Sequence, residues 1–129
     1  MRFLSLLTAA AFTIGSIALP GAASAHARVT ASTPAEGASI PRPRTLSLTF
    51  AEAVDPAVVA ASIVMTAMPG MTDHPPMTIR NFTPAWSKDS RTLTLNLREP
   101  LPIGSYDLRW QAGGEEGHRM TGKVSFTVR

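Results

Sequence analysis

The stretch Thr45-Leu46-Ser47-Leu48-Thr49-Phe50 alternates polar and apolar residues, with Leu46, Leu48 and Phe50 as the apolar set. An alternation with a period of two residues predicts a β-strand that buries one of its faces. The same pattern recurs in three later stretches, whose apolar sets are Leu93, Leu95 and Leu97, then Tyr106, Leu108 and Trp110, then Val124, Phe126 and Val128. The repetition predicts several strands whose apolar faces share one core.

Turn-forming residues separate these predicted strands. Proline, glycine, aspartate and serine cluster at residues 34–37, 41–43, 55–56, 88–90, 102–104 and 113–114, as is typical between the short strands of antiparallel folds. Further strands near 29–31 and 63–65 would bring the total to about seven, and residues 57–61 could form one helical turn. We therefore expect an all-β fold, a small immunoglobulin-like Greek-key β-sandwich or barrel of about seven strands.

Residues 1–25 have the three regions of a secretory signal peptide. Arg2 gives a basic start, residues 3–19 are mostly apolar, and Ala23-Ser24-Ala25 is a small-residue cleavage site. A membrane anchor is the alternative, but the apolar stretch is interrupted by polar residues and ends at Pro20, short for a span of about 20 residues. We expect cleavage after Ala25, which leaves one domain, 26–129, that begins at His26 and does not span a membrane.

The composition argues against several classes of protein. The chain contains no cysteine, so a metal ion would have to be held by nitrogen, oxygen or thioether ligands rather than by thiolates. The formal net charge is only +3, and the arginines are scattered without a basic run, so the sequence does not predict nucleic-acid binding. No serine or threonine stands in an evident arrangement with a histidine and an acid, so hydrolysis is not predicted either.

A methionine-rich segment spans residues 65–77. It places a sulfur or an imidazole at every third residue, in the order Met65, Met68, Met71, His74 and Met77. The prolines and glycine between them exclude a continuous helix, so we expect an irregular loop. Thioethers are soft ligands that select Cu(I), and an imidazole can complete the set. The alternative is that these methionines fill the core or form an adaptable apolar patch, with Met65 the most structural because it ends a predicted strand.

A second group of possible ligands is dispersed in the sequence. His26 would offer both its imidazole and the free α-amine of the mature chain, Glu52 follows the 45–50 strand, and Glu115-Glu116-Gly117-His118 precedes the last strand. Nitrogen and carboxylate ligands of this kind suit Cu(II). Taken singly, a glutamate on a loop is usually solvated and a lone histidine is usually structural or exposed. The sequence does not show that these residues lie close together in the fold.

In combination, these motifs resemble the CopC-type periplasmic copper-binding proteins. The resemblance covers the whole mature chain and rests on His26, on the stretches 32–37, 48–52 and 64–71, and on 104–106, Trp110 and 118–122. It implies a cupredoxin-like seven-stranded barrel or sandwich with copper sites at its two ends. The implied Cu(II) ligands are His26, Glu116 and His118, with Glu52 nearby, and the implied Cu(I) ligands are Met65, Met68, Met71, His74 and Met77.

The sequence departs from the family pattern at two positions. Glutamate stands at 116 where the family pattern has aspartate, and two residues, Thr72 and Asp73, separate Met71 from His74 where the pattern has one. The first departure gives position 116 a longer side chain, and the second lengthens the spacing between Met71 and His74 by one residue.

The resemblance implies a binding protein rather than an enzyme. Its function would be copper resistance or homeostasis in the periplasm, by sequestering copper and passing it to an inner-membrane CopD-type transporter or to other periplasmic copper proteins. Two alternatives remain open: an adhesion or assembly module in which the methionines form a contact surface, and an oxidative enzyme with a copper brace formed by the N-terminal histidine.

Overall fold

The computed structural model describes residues 28–71, 75–113 and 119–129. The expected signal peptide and His26 therefore lie outside the described residues, as do His74, Glu116 and His118. The described residues form nine strands, in the order β1 (Val29–Thr33), β2 (Ser39–Ile40), β3 (Thr45–Phe50), β4 (Val59–Ala67), β5 (Met77–Ile79), β6 (Phe82–Trp86), β7 (Thr92–Leu97), β8 (Gly104–Gly113) and β9 (Arg119–Val128).

The strands form two sheets. A four-stranded sheet has the order β1-β3-β7-β6, and a five-stranded sheet has the order β2-β9-β8-β4-β5. Neighbouring strands are antiparallel except β2, which runs parallel to the end of β9. The all-β sandwich expected from the sequence is confirmed, whereas the barrel alternative is not, because the two sheets do not close on each other within the described residues.

The stretches located in the sequence correspond to six of the nine strands of the described residues, and β2, β5 and β6 were not located. The strands β2 and β5 have only two and three residues, too few for an alternation to be recognised, and β6 contains Pro84, which breaks the usual strand composition. The expected helical turn at 57–61 was misplaced. A 3-10 helix spans Pro56–Val58, and the chain from Val59 onward already belongs to β4, which also absorbs the short strand expected at 63–65.

The core lies between the two sheets and is formed by the apolar sets predicted from the alternation. Leu46 and Phe50 of β3 and Leu108 of β8 are fully buried. The Phe50 ring makes an edge contact with Trp110 of the other sheet at a centroid distance of 5.4 Å and stacks with Trp86 at 6.1 Å. The contact with Trp110 joins the two sheets near one end of the sandwich, whereas the contact with Trp86 lies within the four-stranded sheet. Apolar burial is the main stabilising contribution there.

Tyr106 closes the core near the other end of β8. Its ring stacks on Phe126, and its hydroxyl donates a hydrogen bond of 2.6 Å to the carbonyl oxygen of Pro102. Burial raises the pKa of Tyr106 to about 12, and the nearby Arg42 guanidinium opposes part of that shift. The phenol is thus held protonated and fixes the 100–103 segment against the core.

The described residues contain no helix with the length and apolar character that crossing a membrane requires.

We predict that the stability of the fold depends on the protonation of Tyr106. Below pH 10 the phenol is neutral in both the folded and the unfolded chain, so the stabilisation is complete. It is lost as the pH rises from 10 towards 12, because only the unfolded chain ionises there. Tyr106→Phe should lower the free energy of unfolding by about 1 kcal/mol at neutral pH and flatten its decline above pH 10, as measured by urea unfolding.

The same titration can be followed by absorbance, because Tyr106 is the sole tyrosine of the chain. A phenolate that forms at an ordinary pKa in the folded protein, or a variant whose stability declines with pH as steeply as that of the parent chain, would contradict this role.

Candidate metal-binding ends of the sandwich

The described residues that flank the two groups of candidate ligands lie at opposite ends of the five-stranded sheet. Val59, at the start of β4, pairs with Ala112, and Ala67, at its end, pairs with Ser105. Most of the methionine-rich segment follows Ala67, whereas residues 114–118 connect β8 to β9 beyond Ala112. At about 3.3 Å per residue, the eight steps along β4 separate the two ends by ~25 Å. The described residues that lead into the two groups are therefore too far apart to share one metal ion.

A tight turn brings two methionines together at the first end. Met68 and Met71 form a β-bridge, and the Met71 N–H donates a hydrogen bond of 3.1 Å to the Met68 carbonyl oxygen. Between them, Pro69 is followed by Gly70 at a φ of 78°, which is the sequence and conformation of a type II turn. The expectation of an irregular loop is thus wrong for residues 68–71, where the Pro-Gly pair specifies a defined turn.

The next pair of methionines is held by strand pairing. Met65 in β4 and Met77, the first residue of β5, are direct cross-strand partners. Such partners share one face of the sheet, but their burial differs because β5 is the edge strand. Met65 is only 3% exposed, whereas Met77 is 48% exposed. The structure therefore places Met77 on a strand rather than on the loop expected from the sequence.

Met65 has a packing role that the other methionines do not share. Its terminal methyl group lies over Gly104, 3.4 Å from the position that a Cβ atom would occupy there, and the same Cβ would come within 2.6 Å of the Ala67 carbonyl oxygen. Gly104 therefore permits the close approach of β4 and β8 beside Met65. The expectation that Met65 is partly structural fits this burial, although Met65 lies inside β4 rather than at its end.

The surface at this end is apolar and accessible. Met71 is 52% exposed and Met77 48% exposed, and Ile103, just before the start of β8, is 50% exposed. Met68 is partly buried against the core. The described thioethers thus range from enclosed to freely accessible, with Met71 and Met77 the most available to a ligand from solution.

The second end is built around the bend that follows β3. The Ala51 N–H donates a hydrogen bond of 2.7 Å to the Arg28 carbonyl oxygen, so Glu52 lies beside the chain that leads back to residue 26. The Arg91 guanidinium donates to the carbonyl oxygens of Ala51 and Phe50, at 2.9 and 3.4 Å. Arg91 thereby fixes the bend that carries Glu52, a positioning role that the sequence did not suggest.

The described part of the second end offers one candidate ligand. Glu52 is exposed, whereas His26, Glu116 and His118 lie outside the described residues, and the described part of the chain contains no cluster of three or more histidine, aspartate or glutamate residues. The pairing of Gly113 with Arg119 nevertheless places the two ends of the 114–118 segment at this end of the sheet.

The fold and its thioether-bearing end define a small two-sheet β-sandwich with candidate soft-metal ligands beyond the end of β4. Comparison with known proteins places the chain within this class. Residues 29–129 match the family model described as the CopC domain. The chain belongs to the CopC domain family.

Relatives and solved structures agree with this assignment. The chain is 36% identical over 107 residues to Copper resistance protein C of Pseudomonas syringae pv. tomato, covering 83% of each chain. It is 33% identical over 127 residues to Copper resistance protein C of Xanthomonas campestris pv. juglandis, covering 98% of each. It also resembles the crystal structure of PcoC, a methionine-rich copper resistance protein from Escherichia coli, with a TM-score of 0.70 and 30% identity over 81% of this chain and all of that one.

We predict that Met65 and Met71 differ sharply in their contribution to stability. Met65→Ala should lower the free energy of unfolding by about 2–5 kcal/mol, because it leaves a cavity against Gly104. Met71→Ala, at an exposed turn position, should change it by about 0.5 kcal/mol or less. Thermal and urea unfolding of the two metal-free variants would measure the difference. Equal losses would contradict the assignment of Met65 to the core and Met71 to the surface.

Proposed function

We propose that the chain is a periplasmic copper-binding protein that sequesters copper and passes it to partner proteins in copper resistance or homeostasis. The observation that carries the proposal is the Pro69-Gly70 turn, which holds Met68 and Met71 together at the same end of the sheet as the exposed Met77. Membership of the CopC family and the copper resistance proteins among its relatives support the same metal.

The methionine-rich end would bind Cu(I). In the type II turn the Cα atoms of Met68 and Met71 lie within about 7 Å of each other, so two flexible thioethers can reach one ion. Their softness favours Cu(I) over harder divalent ions. Met77 would join from the edge strand, and His74 remains a further candidate. Met65 would contribute only if its thioether left the core, so its role as a ligand is secondary in this proposal.

The opposite end would bind Cu(II) through harder ligands. The proposed set is the α-amine and imidazole of His26, the imidazole of His118 and the carboxylate of Glu116, with Glu52 close by. The hydrogen bond from Ala51 to Arg28 supports this arrangement, because it fixes the chain two residues after His26 next to Glu52. Processing after Ala25 is part of the proposal, since only a chain that begins at His26 provides the terminal amine.

Transfer to a partner would occur by ligand exchange. Because Met71 and Met77 are about half exposed, a thioether or imidazole from a partner could approach the ion before the chain releases it. An inner-membrane CopD-type transporter or another periplasmic copper protein would be the receiver. The protein would thus act by binding and release and not by catalysis.

The exposed apolar surface supports one competing function. Met71, Met77 and Ile103 could form the contact surface of an assembly module. This alternative requires no metal, so binding of a partner would persist after copper is chelated, whereas copper-dependent transfer would stop.

We predict that a single added residue before His26 abolishes the Cu(II) site. The processed protein, titrated with Cu(II) and followed by EPR, should give a nitrogen-rich tetragonal signal. The same protein with one alanine added in front of His26 should lose or greatly weaken that signal, because the α-amine becomes an amide while every native side chain remains. N-terminal sequencing of the secreted chain first verifies processing after Ala25. Identical spectra would overturn the His26 site while leaving the Cu(I) proposal intact.

We predict that the exposed thioethers determine the affinity for Cu(I). The double variant Met71→Leu and Met77→Leu should weaken Cu(I) binding by about tenfold or more, equivalent to ~1.4 kcal/mol, in competition with a chromophoric Cu(I) chelator. Met120→Leu is the matched control, because Met120 lies in β9 and packs against the core near the opposite end. Unchanged affinity in the double variant, or equal weakening in the control, would contradict a Cu(I) site on this turn.

A further inference from the structure

Among the described residues, one edge of the last strand has no neighbouring strand along more than half of its length. Strand β9 pairs with β8 from Arg119 to Val128, but on its other side it pairs with β2 only at Thr127 and Val128. The stretch from Arg119 to Val124 therefore has no strand neighbour on that side among the described residues. An unpaired edge is a template for another extended chain.

Hydrogen bonds further along β9 show which backbone groups face this edge. The Ser125 N–H donates to the Glu36 carboxylate at 2.9 Å, its carbonyl accepts from the Gly37 N–H at 2.7 Å, and the Thr127 N–H donates to the Ala38 carbonyl at 2.8 Å. The β8–β9 register is continuous, so with a period of two the N–H and C=O groups of Lys123 and Thr121 face the same way. Within the described ranges they have no hydrogen-bond partner.

Two grooves meet at this edge. The inner groove, about 450 Å³, lies between β1 and β9 and is lined by Val29, Trp110 and Val124 among others. The outer groove, about 560 Å³, crosses the outer face of β4, β8 and β9. Trp110, Gly122 and Lys123 line both. A chain added to the edge would direct alternate side chains into the two grooves.

The two grooves differ in chemistry. On the outer face, Arg109 and Lys123 are direct cross-strand partners, an arrangement of like charges that weakens a sheet when nothing compensates it. Asp107 contacts Arg109 at 3.4 Å, but Lys123 has no ion pair in the part of the chain that the structure describes. The inner groove is apolar at Val29, Trp110 and Val124, and its acidic group, Glu36, lies at the Ser125 end, where its carboxylate accepts the Ser125 N–H. An added strand that fits both would alternate acidic and apolar residues.

We propose that the open edge at Thr121–Lys123 binds an extended segment of a partner protein, in which acidic and apolar residues alternate, by β-strand addition. The positive outer face argues against a second copy of this chain, which would bring its own Lys123 and Arg109 to the same edge. The other sheet ends in β6, where Pro84 lacks an N–H to donate, and no such block is present from Arg119 to Val124. The proposal does not depend on copper.

The test uses a synthetic peptide of about eight residues in which glutamate and valine alternate, added to the protein as cells process it. Binding should slow hydrogen exchange at the Thr121 and Lys123 amides by about tenfold or more, while the Gly122 amide, which faces β8, should change little. A peptide of the same composition with the glutamates and valines in separate blocks should not produce this pattern. Failure of the alternating peptide to protect these two amides would overturn the proposal.

Two variants separate backbone pairing from charge. Lys123→Pro removes an N–H that faces away from β8 and should weaken peptide binding by about tenfold or more. Lys123→Glu keeps the backbone and should also weaken binding, whereas Lys88→Glu, the same change in the turn between β6 and β7, should not. Equal binding by Lys123→Glu and the parent chain would refute the acidic specificity, so the test does not depend on whether the proline variant folds.

The oligomeric state provides the remaining outcome. A concentration-dependent dimer in analytical ultracentrifugation that Lys123→Pro converts to a monomer would assign this edge to a second copy and overturn the partner proposal. A monomer at all concentrations, together with protection of Thr121 and Lys123 by the peptide, is the expected result.

Discussion

The pairing of β8 with strands on both sides is the constraint on which the rest of the structure depends. Over its ten residues β8 pairs with β9 along its whole length and with most of β4. Because side chains alternate between faces, a slip of one residue would turn Tyr106, Leu108 and Trp110 out of the core. Burial of these side chains against the other sheet therefore fixes the register of β8. That register determines which segments of the chain meet at each end of the five-stranded sheet.

Most of the fold could be predicted from the alternation of apolar residues, because a strand that buries one face carries apolar side chains at every second position. It located β3, β7, β8 and β9 and placed Tyr106 and Trp110 in the core. It could not locate β2 or β5, because strands of two and three residues are too short to show a recognisable alternation. It also missed the partial burial of Trp86, since the aromatic contact of Trp86 with Phe50 is made by a strand interrupted by Pro84.

The candidate sites were predictable in composition but only partly in geometry. Sulfur and imidazole spacing indicated the methionine-rich end, yet it could not distinguish the enclosed Met65 from the exposed Met71, because that difference arises from the close approach of β4 and β8 at Gly104. The Pro69-Gly70 pair was a local signal that could have identified the turn. The positioning role of Arg91 could not be predicted from a local pattern, since its contacts with Phe50 and Ala51 join residues about forty positions apart.

The turn at Met68–Met71 also affects how this protein can evolve. It is closed by its own backbone hydrogen bond, and its exposed methionine contributes little to the core. Substitutions at position 71 are therefore nearly neutral for folding, while they alter the chemistry presented to solvent. Selection can change the number and kind of groups at this end without passing through unstable intermediates. A methionine retained at 71 among descendants of this chain would therefore be retained for its thioether rather than for folding, whereas Met65 and Gly104, which contact each other, should change only together.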